Sequence, residues 1–185
     1  MTYFDDIYDQ AADNYGFITT AEARALSVPS IEMVKMAKRG KLDHIGYGVY
    51  RLNRYYPTEF DSYAQAVALV GDGAYLYGES VLGMFNLAFV NPSRIMIATP
   101  ARVRKTLSKH IKIIPAKPDT KVTRYECIPS QTVADAIRAC KKTVMAERLL
   151  PAIENARLQG LVSEREAKEL TKEMRNARKA TKQQA

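Results

Sequence analysis

The sequence predicts an α+β fold: an N-terminal winged helix-turn-helix, residues 1–55, then a larger α/β C-terminal domain, residues 56–185, with a small sheet and several helices. Three observations predict it. Two short helical segments on either side of Ser27-Val28-Pro29 have helix-turn-helix spacing. A hairpin with a double-glycine centre follows them at once. After Tyr55-Tyr56-Pro57-Thr58 the chain changes to compact apolar helices and short strand-like runs.

Taken in order, Tyr3–Tyr15 is predicted helical because Phe4, Ile7, Tyr8, Ala11 and Ala12 recur at helical spacing, and Gly16 supplies the left-handed stop. Thr19-Thr20-Ala21-Glu22 is a capping-box arrangement that opens a helix over Ala21–Leu26. A second helix runs Ser30–Arg39 and stops at Gly40. Leu42/His44 and Val49/Arg51 then alternate around Gly46-Tyr47-Gly48, so two short strands with a tight tip form a wing.

Beyond Pro57, Phe60–Val70 and Glu79–Leu87 read as helices, with Tyr75–Gly78 a strand or a helix approach. Arg94–Thr99, His110–Ile114 and Val122–Ile128 read as strands, Pro115–Asp119 being the turn between the last two. Ser130 is the expected cap of a helix with a Val133, Ala136, Ile137, Cys140 stripe. Thr143–Leu158 and Ser163–Lys182 complete the chain, the last fraying as a lysine-rich tail. No internal repeat is visible.

An apolar fraction of 46% with 26% charged residues describes a globular protein. The longest apolar stretches, Ala64–Val70 and Val81–Val90, are too short for a bilayer span, and the opening residues lack the pattern of a signal peptide. The expectation is a cytoplasmic protein with no membrane partner. Cys127 and Cys140 are expected to be two small buried side chains, and with only His44 and His110 beside them no metal site and no cofactor is expected. The net charge of +8 is unevenly spread. Residues 1–30 and 56–90 each carry −4, whereas 31–55 carry +4 and 91–125 carry +8. Two basic blocks alternating with two acidic ones suggest two separate surfaces for a polyanion.

On a helical wheel of the second helix, Ser30, Met33, Val34 and Ala37 fall on one arc, which reads as the core face. Lys35, Lys38 and Arg39 fall opposite, where a DNA major groove would meet them. Ile31 lies among these cations and is expected to pack under the wing, although it could touch a thymine methyl. Ser30 is nonetheless counted with the candidate DNA contacts. Lys41, His44, Tyr47 and Arg51 extend the surface along the hairpin toward phosphates or the minor groove. In the second basic block Arg102, Arg104, Lys105, Lys109 and Lys112 form a further candidate surface. It would widen a DNA footprint, face RNA or an acidic partner, or serve as a solvated strand edge blunted by lysine.

Several segments together resemble a known family. Gly16-Phe17-Ile18-Thr19 leading into a helix, Lys38-Arg39-Gly40-Lys41-Leu42 and Gly48-Val49-Tyr50-Arg51 are similar to the N-terminal domain of AbiEi antitoxins, the antitoxin halves of bacterial type IV toxin–antitoxin and phage abortive-infection systems. Tyr77-Gly78-Glu79-Ser80-Val81-Leu82 and Tyr125–Asp135 continue the resemblance, which spans Tyr3 to Leu150. It implies a protein that binds operator inverted repeats in double-stranded DNA and represses its own operon. It also implies a C-terminal domain that counters a nucleotidyltransferase-type toxin, without requiring a stable complex. On the resemblance, Lys35, Lys38, Arg39, Lys41 and Arg51 carry the DNA contact.

Two other classes bear on the sequence. A nuclease-like domain would need clustered carboxylates and a lysine at strand ends. Block 91–125 holds one acid, Asp119, in an expected turn, and Glu126 is followed by no Glu-x-Lys. Neither a phosphate-binding glycine loop nor a Gly-Ser with a following Asp-x-Asp occurs, so no enzyme is expected and no catalytic residue is assigned. A stand-alone DNA-binding regulator with a ligand-sensing or dimerising C-terminal domain remains the alternative.

Overall fold

The computed structural model describes residues 2–88, 90 and 93–182, with side chains as far as residue 176. In the first fifty residues a helix, α1 (Tyr3–Ala12), is capped by Thr2 and Asp5 in a reciprocal box. Strand β1 (Phe17–Thr19) leads directly into α2 (Thr20–Ala25). The expected capping box is present there. Glu22 N donates to Thr19 Oγ1 at 3.1 Å, and Thr19 N donates to Glu22 Oε2 at 2.7 Å. Helix α3 (Ser30–Lys38) follows, then the wing strands β2 (Leu42–Gly46) and β3 (Val49–Leu52). The three strands form an antiparallel sheet in the order β1-β3-β2, which makes β3 central. Helix, strand, two helices and a two-strand wing is the winged helix-turn-helix arrangement.

Both faces of this sheet are covered. Ile18, Tyr50 and Leu52 point to a core shared with Ile7, Ala11, Ala23, Val28, Met33, Met36 and Leu42. Phe17 and Val49 point the other way and belong to the core of the second half. The element they meet is α4 (Asp61–Val70), which packs against β1 on one side and against strands of the second sheet on the other. Ala64, Ala66 and Ala68 are all buried, and side chains this small let the helix approach a sheet on each of two faces.

The second sheet has five strands: β4 (Tyr75–Leu76), β5 (Ile95–Thr99), β6 (Ile111–Pro115), β7 (Val122–Tyr125) and β8 (Ile128–Gln131). Their order is β6-β5-β4-β8-β7, with β5–β6 and β4–β8 parallel and the other two pairs antiparallel. Helix α5 (Glu79–Met84) packs on β5 and on α6 (Val133–Ala139), and α6 in turn meets α7 (Ala146–Leu158) and α8 (Glu164–Lys182), which pair with each other. A 3₁₀ turn, Cys140–Lys142, joins α6 toward α7. The lysine-rich segment expected to fray, Ser163–Lys182, is helical in α8 as far as Lys182, and residues 183–185 lie outside the described residues.

Three expectations for the second half are corrected. The strand expected over Val122–Ile128 is a hairpin, folded at Glu126-Cys127, both with positive φ (47° and 59°). Arg124 Nη1 donates to Cys127 O at 3.1 Å across the turn. Neither residue is the glycine or asparagine that normally marks such a turn, so the sequence hid it. Ser130 is no cap: it is fully buried in β8, and its hydroxyl donates to Ile128 O at 3.2 Å. Thr132 caps α6 instead, accepting from Asp135 N at 3.2 Å. Finally, Cys127 at the hairpin tip is exposed, whereas Cys140 is buried, which pushes its thiol up to about 12.

Candidate nucleic-acid interface

Helix α3 is held on α2 and β2 through Met33, Met36 and half-buried Ala37. That corrects the core face read from the wheel by about 60–80° of rotation at 100° per residue. Met36, not Val34, enters the core, because its long unbranched side chain reaches in where the branched one cannot. Ser30, Ile31, Val34, Lys35, Lys38 and Arg39 then line one contiguous exposed half of the helix. Ile31 does not pack under the wing; it is 58% exposed, and Val34 is 37% exposed.

The cations on this arc are not equivalent. Lys35 Nζ pairs with Glu32 at 2.7 Å, so part of its charge is already answered. Lys38 and Arg39 make no ion pair among the described residues. Both also sit at the end of α3, where a cation complements the helix carbonyl end.

Along the hairpin the expected residues divide. Lys41 leans over the Phe4 ring at 4.2 Å from its centroid, and His44 tilts against Tyr50 with ring centroids 5.0 Å apart. Tyr47 at the tip is 85% exposed. The tip itself is fixed from beneath. Thr20 N donates to Gly48 O at 2.8 Å, and a methyl group on Gly48 (φ +70°) would meet Thr20 Oγ1 at 2.9 Å.

Arg51 does not join this surface. β3 directs it to the covered face of the sheet, where it pairs with Asp61 of α4, the two side chains being 19% and 13% exposed. Its guanidinium also lies 4.9 Å from the Phe17 ring centroid and 5.7 Å from that of Tyr55. The correction has a physical source: alternation separates inside from outside only when one face of a sheet is solvated, and both faces of this one are inside. The run Val49-Tyr50-Arg51-Leu52, apolar on both parities except at the arginine, carries that signal. Asp61, missed at the sequence level, also receives Thr58 N and Thr58 Oγ1 at 2.8 Å each.

The second basic block reaches the wing. Arg102, Arg104 and Lys105 share with Tyr47, Gly48 and Thr20 the walls of a groove of about 400 Å³. Arg102 and Arg104 are exposed, while Lys105 folds back so that its Nζ would meet a methyl group on Gly71 at 3.5 Å, at the carboxyl end of α4. Lys109 and Lys112 lie farther along. Lys109 rims a groove of about 690 Å³ floored by Leu107, Ile111 and Ile113, and exposed Lys112 sits on β6, an outer strand of the sheet. The structure therefore brings Arg102 and Arg104 beside the wing tip, joins Arg102 and Lys105 to Lys109 along the second groove, and leaves Lys112 apart on β6.

No group of three or more His, Cys, Asp or Glu side chains among the described residues could hold a metal ion. No described helix is long and apolar enough to cross a membrane. Residues 5–53, from within α1 to just past the end of β3, match the family model described as "Transcriptional regulator, AbiEi antitoxin". Over these residues the chain is similar to the AbiEi antitoxin family. The match thus takes in α1 from Asp5 onward and the other five elements of the winged helix, and stops before α4. No curated protein matches the chain. Among solved structures, the RV2827C protein from Mycobacterium tuberculosis is similar at a TM-score of 0.40 and 14% identity, over 92% of this chain and 81% of that one. A likeness that loose carries no argument about function.

Proposed function

We propose that this chain is a DNA-binding antitoxin that represses its own operon and counters a nucleotidyltransferase-type toxin. Residues 1–55 act as the DNA-binding domain and 56–185 as the domain that opposes the toxin. The observation that carries the DNA half is the exposed arc of α3, a half-cylinder bearing Lys35, Lys38 and Arg39, with the one acid of that helix, Glu32, at its edge and already paired. An α-helix of this kind fits the B-DNA major groove, where cations meet phosphates or guanine edges. Tyr47, Arg102 and Arg104 flank the wing tip and supply phosphate contacts beyond the groove. The antitoxin half rests on the family description of residues 5–53.

The expected behaviour is specific. The full chain retards an operator duplex in a gel shift, and Lys38→Ala with Arg39→Ala shallows the dependence of log affinity on log salt by about two units, with a native circular dichroism spectrum. Arg102→Ala with Arg104→Ala shallows it further if the loop beside the wing touches phosphate. An unchanged slope in the α3 variant removes that helix from the interface. For the antitoxin half, co-expression with a nucleotidyltransferase encoded beside it should restore growth of toxin-bearing cells; failure to rescue sinks that part of the reading.

A further inference from the structure

The exposed arc of α3 is not uniformly cationic. Its amino-terminal half presents Ser30, Ile31 and Val34, and its carboxyl-terminal half Lys35, Lys38 and Arg39. At about 100° per residue, Ile31 and Val34 stand about 60° apart on adjacent turns, with Lys38 between them in projection. They form one small aliphatic patch ringed by a hydroxyl and three cations. Both are β-branched, so each holds one preferred rotamer in a helix and presents a fixed methyl surface.

A solitary exposed isoleucine needs no explanation. This pair differs because of its setting. The winged-helix core takes two methionines from the same helix, Met33 and Met36, yet leaves the two branched aliphatics outside. The cations around the patch select a polyanionic partner over an apolar protein face. Within a DNA major groove, the apolar group on offer is the C5-methyl of thymine.

We propose that Ile31 and Val34 read thymine methyl groups in the operator, giving α3 a division of labour: sequence from its first turn and a half, phosphate affinity from its last. This rests on the reading of α3 as the DNA-contacting helix. It adds the base class the helix selects and the two residues that select it, Ile31 foremost because it is the more exposed.

The test works without a known operator. Duplexes are recovered from a random-sequence pool by binding to the full chain, and each recovered duplex is remade with deoxyuridine in place of thymidine, which removes only the methyl groups. The wild-type chain should bind the deoxyuridine duplex more weakly, by about fourfold for each contacted methyl. The Ile31→Ala, Val34→Ala variant should bind both duplexes alike, while Lys38→Ala should keep the discrimination and show a shallower salt dependence. The deoxyuridine comparison uses unaltered protein, so it stands even if a variant folds poorly. Equal binding of both duplexes by the wild-type chain overturns the proposal and leaves α3 as a DNA-binding helix. Failure to recover any bound duplex at low salt overturns the underlying reading, and this one with it.

Discussion

Arg51 shows how a single side chain changes meaning once its surroundings are known. In sequence it continues a basic series along the wing, and the family resemblance adds weight to it as a DNA contact. In the structure it is a bolt between β3 and α4, its charge met by Asp61 and its faces covered by Phe17 and Tyr55. Removing one partner of such a pair strands the other charge away from water, at a cost of about 3 kcal/mol. Arg51→Met should therefore lower stability by about that amount in urea denaturation, and adding Asp61→Asn should recover part of it. Under native conditions the single variant should keep its operator affinity. A variant with unaltered stability and lost affinity would return Arg51 to the DNA surface.

Among the elements, legibility followed how local the governing physics was. The α2 cap, the break at Ser27–Pro29 and the wing were all readable, because Thr19, Glu22, Pro29 and Gly48 act within a few residues of themselves. The exposed cations of α3 were readable for the same reason. The rotation of α3 was not, since which of Val34 and Met36 goes inward is decided by α2 and β2. The β7–β8 hairpin was unreadable for the opposite reason: its turn residues are poor formers of the conformation they adopt. Its support comes from 111 residues away, where Tyr15 Oη donates to Glu126 O at 2.7 Å. Burial there, with Glu126 alongside, pushes the Tyr15 phenol up to about 12. Replacing Glu126-Cys127 by Asn-Gly relieves the positive-φ penalty while keeping that backbone acceptor. The expected gain is about 1 kcal/mol, a rise in melting temperature of about 2–4 °C for a chain of this size. An unchanged or lowered melting temperature would show that the turn carries no strain.

At the scale of the molecule, the two halves to which separate work is proposed share one interior. Phe17 and Val49 come from the winged helix, yet they belong to the hydrophobic cluster that includes α4, the five-stranded sheet and the three last helices. Calorimetry of the full chain should accordingly show one transition rather than two, and Phe17→Ala, at a cost of about 3–5 kcal/mol, should lower that single transition as a whole. Two resolved transitions, with only the first displaced by Phe17→Ala, would mean that the halves fold independently. The shared sheet face also bears on how such chains can be recombined. A winged helix is commonly treated as a portable cassette, cut at the end of its wing and joined to a new effector. Cut after β3, this one would present Phe17 and Val49 to water and leave the Arg51 guanidinium without its carboxylate. Its natural seam lies on the far side of α4, so a transplant that functions must carry that alanine-lined helix with it.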